Sequence, residues 1–428
     1  VARFGAWASK EFTKSRVGDQ YAHRFSIHFP NEERSAGRPV RTRPIYQMQK
    51  DMGAVMGLNY GWEHPLWFAE TPGVKDTNGF TRQNWFEPVG KECKMLREKA
   101  GIIDISNFAK YVVQGKKGRD WLDAVFANKM PTEVGRSCLT PLISRRGGLA
   151  GDFTVTLIAQ DEYWIFGSGM AERYHKRFFD SVPLPEGVRF DSRTEAVCGF
   201  NLAGPLSRKI LQRLTNTSLN NQDFQFMRSK CADLAGIDVK MLRVSFTGDL
   251  GWEVHCNTAD QKALYTALLE TGKEFGVGPV GSRALMAMRV EKGYGSWSRE
   301  YSPEYWPHEQ GMDRLCKMDK DFLNKAALQA VLAQEPREQM VLLHLNEAAV
   351  TASNADATGG EPVFKDGNGV GRVTSGAYGY SVGLSLALAM VKDVGPGDEV
   401  EVMVLGQPHK AKILHQPPFD PTGKKLRA

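Results

Sequence analysis

Two rhythms share this chain, and they change over near Gln334. Before it, some stretches repeat apolar residues at helical spacing and others alternate with period two; after it, short β-rich runs are divided by Gly-rich turns. In the first part, a helix is expected from near Pro88 through Cys93–Arg97 to Gly101, then strands at 102–106 and 109–114. A helix follows at 118–126, and residues 153–158 and 163–166 read as a hairpin around Gln160, Asp161 and Glu162. The run 258–274 carries a helical apolar stripe that stops at Gly276, a C-terminal signal. Helices, strands and hairpins mixed in this way predict an α+β body.

Beyond Gln334 strands are expected at 340–345, 361–364, 369–374 and 399–404, with Asp366-Gly367-Asn368-Gly369 as a hairpin turn. Regular strands with Gly and Pro turns predict a small β-barrel of about 90 residues. The apolar run 381–391 reads as a buried strand pair or a short core helix. It falls well short of the roughly 18 unbroken apolar residues that span a bilayer. The first 80 residues differ again, rich in aromatics and turn residues with one helix expected at 45–56. Such a segment buries no core alone and reads as an arm that packs on a neighbour. The expected division is 1–80, 81–333 and 334–428. The chain opens at Val1 without an initiating Met, so a processed or excised piece is expected.

Charge excludes little but points away from nucleic acid. Lys and Arg number 55 against 49 Asp and Glu, a net +6 scattered over 428 residues. The clusters at 115–119 and 423–427 are short and sit in turns or the tail. A mild positive excess also permits an anionic small molecule. Cys93, Cys138, Cys198, Cys231, Cys256 and Cys316 form no Cys-x-x-Cys pair and have no His at zinc-finger spacing. They read as free thiols in a reducing compartment, and without a signal-peptide pattern a cytoplasmic location is expected, or the mitochondrial matrix in a eukaryote. No metal site is expected. Gly276–Gly281 fits Gly-x-Gly-x-x-Gly but follows a helix, where a dinucleotide turn follows a strand. Gly379-Tyr380-Ser381-Val382-Gly383 fits a nucleophile elbow without the sheet that such an elbow needs.

Four segments carry possible chemistry. In Arg145–Val155, glycines precede a strand whose opening acid, Asp152, either points into a cavity or caps a turn. In Ser245–Val254, two glycines make a tight turn into a strand, and Glu253 stands between Trp252 and Val254. A carboxylate among apolar neighbours needs a donor, supplied by a ligand with two adjacent N–H groups or by an internal ion pair. The segment around Arg289 puts alternating charge and aromatics at a helix end, which could equally be a solvated face, and the segment around Tyr378 suits a ligand-facing loop or an ordinary strand turn.

In order, these segments resemble the aminomethyltransferase fold of the glycine-cleavage T-protein, and more closely the C-terminal portion of the dimethylglycine and sarcosine dehydrogenase family. The resemblance is carried by IHFPNEERSAGRPVRTRPIY at 27–46, GWEHPLWFA at 61–69, GDLGWEVH at 248–255, RVEKGYGSW at 289–297, SGAYGYSVG at 375–383 and PFDPTGKKLR at 418–427. It implies a two-lobed folate-binding body followed by the barrel, with Asp152 as the catalytic acid beside the reacting nitrogens of tetrahydrofolate. Glu253 then grips the pterin edge, with Arg289, Tyr378, Phe246, Gly248 and Trp252 completing the folate-binding set.

The same resemblance implies partners. A flavin-containing oxidoreductase domain, in the same polypeptide or a separate subunit, carries FAD and oxidises an N-methyl amine. The folate domain captures the released one-carbon unit as 5,10-methylenetetrahydrofolate. The chain departs from the family with Phe246 and Asp249 where Tyr and Glu are common, and Gly295 where Arg is frequent. Ala203 replaces a larger residue. Two alternatives stand beside capture: a non-catalytic folate-binding or scaffold module, and a direct tetrahydrofolate-dependent demethylase.

Overall fold

The computed structural model describes residues 9–428. The arm begins with the Lys10–Ala22 helix, capped by Ser9 Oγ accepting from the Phe12 amide at 3.0 Å, and none of its residues is buried. An extended stretch follows, pinned to the body by Arg43, which donates to the carbonyls of Thr194, Glu195 and Ser106 at 2.5, 2.9 and 2.8 Å. The Arg41 and Arg43 guanidinium groups each lie 3.8 Å from the Trp62 ring centroid.

The helix expected at 45–56 is cut short. It spans Tyr46–Asp51, and Ala54–Asn59 instead pairs with Trp62–Phe68 as an antiparallel hairpin. Gly53 makes the break: its φ is +92°, and a Cβ there would lie 2.2 Å from the Ala69 carbonyl oxygen. The apolar spacing that imitated a helix serves the hairpin, which sends Val55, Trp67 and Ala69 into one core with Val89, Leu96 and Met288 of the body.

The body holds two sheets. One has six strands, ordered Ser229–Leu234, Ile237–Leu242, Gly251–Asn257, Val197–Ala203, Gly101–Asp104 and Gly278–Val280, with only the last pair parallel. The other has five antiparallel strands, ordered Ser137–Ile143, Leu149–Ala159, Glu162–Gly167, Ala109–Gln114 and Arg189–Ser192. Each covers its outer face with helices. The Gln261–Lys273 helix seals Phe200, Leu202, Trp252 and Val254, and the Gly118–Val125 and Glu172–Asp180 helices seal Tyr111, Phe153 and Val155. The inner faces meet, with Val112, Ile158, Trp164 and Phe166 of one sheet against Leu242 and Val197 of the other.

The C-terminal part closes into a six-stranded barrel. Its Asp366–Gly367 turn has φ +50° and +78°, the left-handed pair that suits a right-twisted hairpin. The run 381–391 is neither a strand pair nor a helix; it is a turn followed by the single strand Leu384–Val391. That strand is apolar on both faces because Ala387, Ala389 and Val391 fill the barrel while Leu386 and Leu388 pack on Val290 of the body. The elbow-like glycines lie at its hairpin turn. All six cysteines are free thiols, four of them buried, Cys138 partly buried and Cys231 exposed. Among the described residues no helix is long and apolar enough to cross a membrane.

Candidate functional site

Strand alternation sorts the Gly251–Asn257 strand into two populations. Trp252 and Val254 enter the outer core, where Trp252 is fully buried and meets Phe224 edge-on at 6.2 Å. Trp252 is therefore a core residue on the side away from Glu253, which corrects its expected place among the folate contacts. Glu253 and His255 take the inner face. His255 Nε2 donates to Glu253 Oε2 at 3.2 Å, and its ring stacks on Phe166 of the facing sheet at 4.6 Å. Burial lowers the His255 basicity, and the Glu253 carboxylate pulls it part of the way back.

Register decides what accompanies Glu253. Across the sheet, Ile103 pairs Asn201, Asn201 pairs Glu253, and Glu253 pairs Leu242. Two polar side chains thus stand together between two apolar ones. Asn201 is 4% exposed, and neither its Oδ1 nor its Nδ2 has a hydrogen-bond partner. Lys110, fully buried, donates to the carbonyls of Ser106 and Phe108 at 3.1 and 2.9 Å. Burial, reinforced by Arg43, pushes its ammonium down to about 7, and Glu253 is among the charges opposing that fall.

Asp152 lies on the facing sheet. Phe153 and Val155 turn outward to the helices, so Asp152 and Thr154 turn inward, and Thr154 pairs with the Phe166 that stacks on His255. Asp152 Oδ1 is sealed and unpartnered, and burial raises the carboxyl to about 6. Its charge in turn adds to the burial that pushes the Tyr301 phenol up to about 12. A buried carboxyl without an ion-pair partner is a candidate for proton handling.

The other expected residues distribute differently. Phe246 stacks on Tyr294 with centroids 6.1 Å apart. Gly248, at φ +85°, abuts the aliphatic stem of Lys292. Arg289 is fully buried and donates to Glu300 at 2.9 Å, Ser375 Oγ at 2.6 Å and the Tyr294 carbonyl at 2.9 Å. Burial lowers its basicity; burial would raise Glu300, but Arg289 and the hydroxyl donors hold that carboxyl low. Arg289 therefore ties the body to the barrel and orders the 294–300 loop. Tyr378 belongs to an aromatic cluster at the barrel seam, with Phe86 at 5.5 Å and Tyr380 at 5.2 Å, and Arg82 lies 4.7 Å from its ring.

The departures have partners of their own. Asp249 binds Arg97, which also donates to Glu291 at 2.6 Å and lies 3.5 Å from the Phe419 ring. Gly295 leaves room for Tyr301, whose ring atoms lie 2.5 and 2.6 Å from where a Cβ would be. Asn201, His255 and Lys110 escaped the motif-based reading. Period two from Glu253 was the available signal for His255. Asn201 and Lys110 depend on pairing and burial between distant strands.

Residues 45–320 match the GCVT N-terminal domain, and 339–420 match the glycine cleavage T-protein C-terminal barrel domain. The chain belongs to this T-protein family. Residues 1–42 match the FAD dependent oxidoreductase central domain. Among relatives, mitochondrial dimethylglycine dehydrogenase from Mus musculus is 33% identical over 427 residues, covering 97% of this chain and 48% of that protein. Mitochondrial sarcosine dehydrogenase from the same species is 27% identical, over 97% of this chain and 50% of its own length. The chain thus spans about half the length of these dehydrogenases. An aminomethyltransferase from Symbiobacterium thermophilum is 26% identical, over 88% of this chain and 97% of its own. The crystal structure of glycine cleavage system aminomethyltransferase T from Bartonella henselae superposes with a TM-score of 0.76 at 21% identity, covering 89% of this chain and 98% of that one, which establishes the shared fold.

Proposed function

We propose that this chain binds tetrahydrofolate between its two sheets and captures a one-carbon unit released by oxidation of an N-methylated amine, yielding 5,10-methylenetetrahydrofolate. The observation that carries this reading is the placement of Glu253 and Asp152 on facing inner surfaces, one with a neighbouring histidine and the other unpartnered. The residues fit the group. The Glu253 carboxylate can accept the paired N–H donors of a pterin edge, and Asp152 offers an orphaned carboxyl oxygen. When bound, the folate supplies the nucleophilic nitrogens that take up the one-carbon unit.

The protein supplies position and proton traffic. Glu253 fixes the pterin, with His255 steadying its carboxylate. Asp152 receives a proton from a reacting nitrogen and returns it at a pH near its own midpoint. The apolar inner faces hold water back, and confinement of donor and acceptor supplies much of the rate. The 1–80 arm docks a flavin domain that carries FAD and performs the amine oxidation, a role supported by the match of residues 1–42. The 81–333 segment forms the folate-binding domain, and 334–428 the barrel that closes it.

Calorimetric titration with tetrahydrofolate tests the reading. Binding that Glu253→Ala abolishes supports it, and absence of binding to the intact chain refutes it. Loss of capture in Asp152→Asn with binding retained separates catalysis from a scaffold role.

A further inference from the structure

We infer that Asn201 is a second pterin-reading residue and that it selects the reduced form of the ligand. The inference rests on the folate reading above and extends it to a residue outside that reading. Asn201 and Glu253 are directly paired across two antiparallel strands, which places their Cβ atoms about 4.5–5.5 Å apart on one face. Ile103 and Leu242 flank the pair and offer nothing polar. Asn201 is 4% exposed with both ends of its amide unpartnered among the described residues. Burying an amide with neither bond made costs stability, so such a side chain points to a ligand that satisfies both ends.

The chemistry of a pterin supplies that partner. A carboxylate at Glu253 takes the 2-amino group and N3–H. The neighbouring N1/N8 edge then presents an acceptor and, in the tetrahydro form, a donor. A carboxamide is the side chain that matches both, its Nδ2 donating to N1 and its Oδ1 accepting from N8–H. In fully oxidised folic acid N8 carries no hydrogen, so the Asn201 oxygen would meet a lone pair. Glu253 binds atoms present in both oxidation states; Asn201 binds one that differs. Glu253 therefore contributes affinity for either form, whereas Asn201 adds affinity for the reduced form, and the selectivity comes from that difference.

The test is titration calorimetry of the full chain with tetrahydrofolate, kept reduced, and with folic acid. Two lost hydrogen bonds predict that Asn201→Leu weakens tetrahydrofolate by about 30-fold, while folic acid changes by less than about threefold. Asn201→Asp, which keeps the acceptor and loses the donor, is expected to fall between. The ligand-free melting temperature of Asn201→Leu should be unchanged or higher, because leucine replaces an amide that makes no internal bond. Equal losses for both ligands, unchanged tetrahydrofolate affinity, or a lowered ligand-free melting temperature would overturn the role of Asn201. Should the intact chain bind neither ligand, the folate reading itself fails and takes this inference with it. If Glu253→Ala abolishes binding while both Asn201 variants keep the parent selectivity, only this inference fails.

Discussion

Asp152→Asn is expected to stabilise the protein while removing the proposed one-carbon capture. Burial lifts the carboxyl from its ordinary 3.8 to about 6, so the fold resists ionising a group that ionises freely when unfolded. Below about pH 4 both states hold the proton and no cost exists. Between about 4 and 6 the cost grows with pH, and above that it stays near 3 kcal/mol, at about 1.4 kcal/mol per pH unit between the two midpoints. That figure is an upper one, because part of the side chain reaches solvent. The new amide is also imperfectly paired and returns about 1 kcal/mol. The net gain expected is about 1–2 kcal/mol at pH 7.5 and none at pH 4. Urea unfolding of both proteins at the two pH values measures it. Parallel capture assays from formaldehyde to tetrahydrofolate should show an apparent midpoint near 6 in the parent and at least about 100-fold slower transfer in the variant. A variant no more stable at pH 7.5, or a gain persisting at pH 4, would refute the reasoning.

Three further outcomes are expected. Arg97→Ala strands the buried Asp249 and Glu291 carboxylates and should cost about 3–5 kcal/mol in urea unfolding. Gly295→Ala drives a Cβ into the Tyr301 ring and should cost about 1–3 kcal/mol; adding Tyr301→Ala should remove that penalty, measured as a double-mutant cycle. Lys110 is neutral in the fold above about 7 but protonated to about 10.5 when unfolded, so its contribution to stability rises between those values. Lys110→Met should remove that rise, seen as a difference between parent and variant that changes steadily from pH 7 to pH 10.

What the sequence by itself determined is local or periodic. The Asp366–Gly367 turn, the barrel strands and the helix ended by Gly276 follow from glycine punctuation and alternation, which short-range sterics enforce. The order of motifs around GDLGWEVH and SGAYGYSVG was enough to identify the family. Tertiary structure decided the rest. Gly53 breaks the expected 45–56 helix because a hairpin strand closes on it, and the apolar residues earn more in the Trp67 core than along a lone helix. Arg289 became a structural tie because Glu300 and Ser375 arrive from a loop and a barrel strand. Asn201 stands beside Glu253 through register alone, across an interval of sequence that no local preference spans. Pairing register is set by burial of whole faces at once, so which polar residues share a face is a property of the assembled sheets.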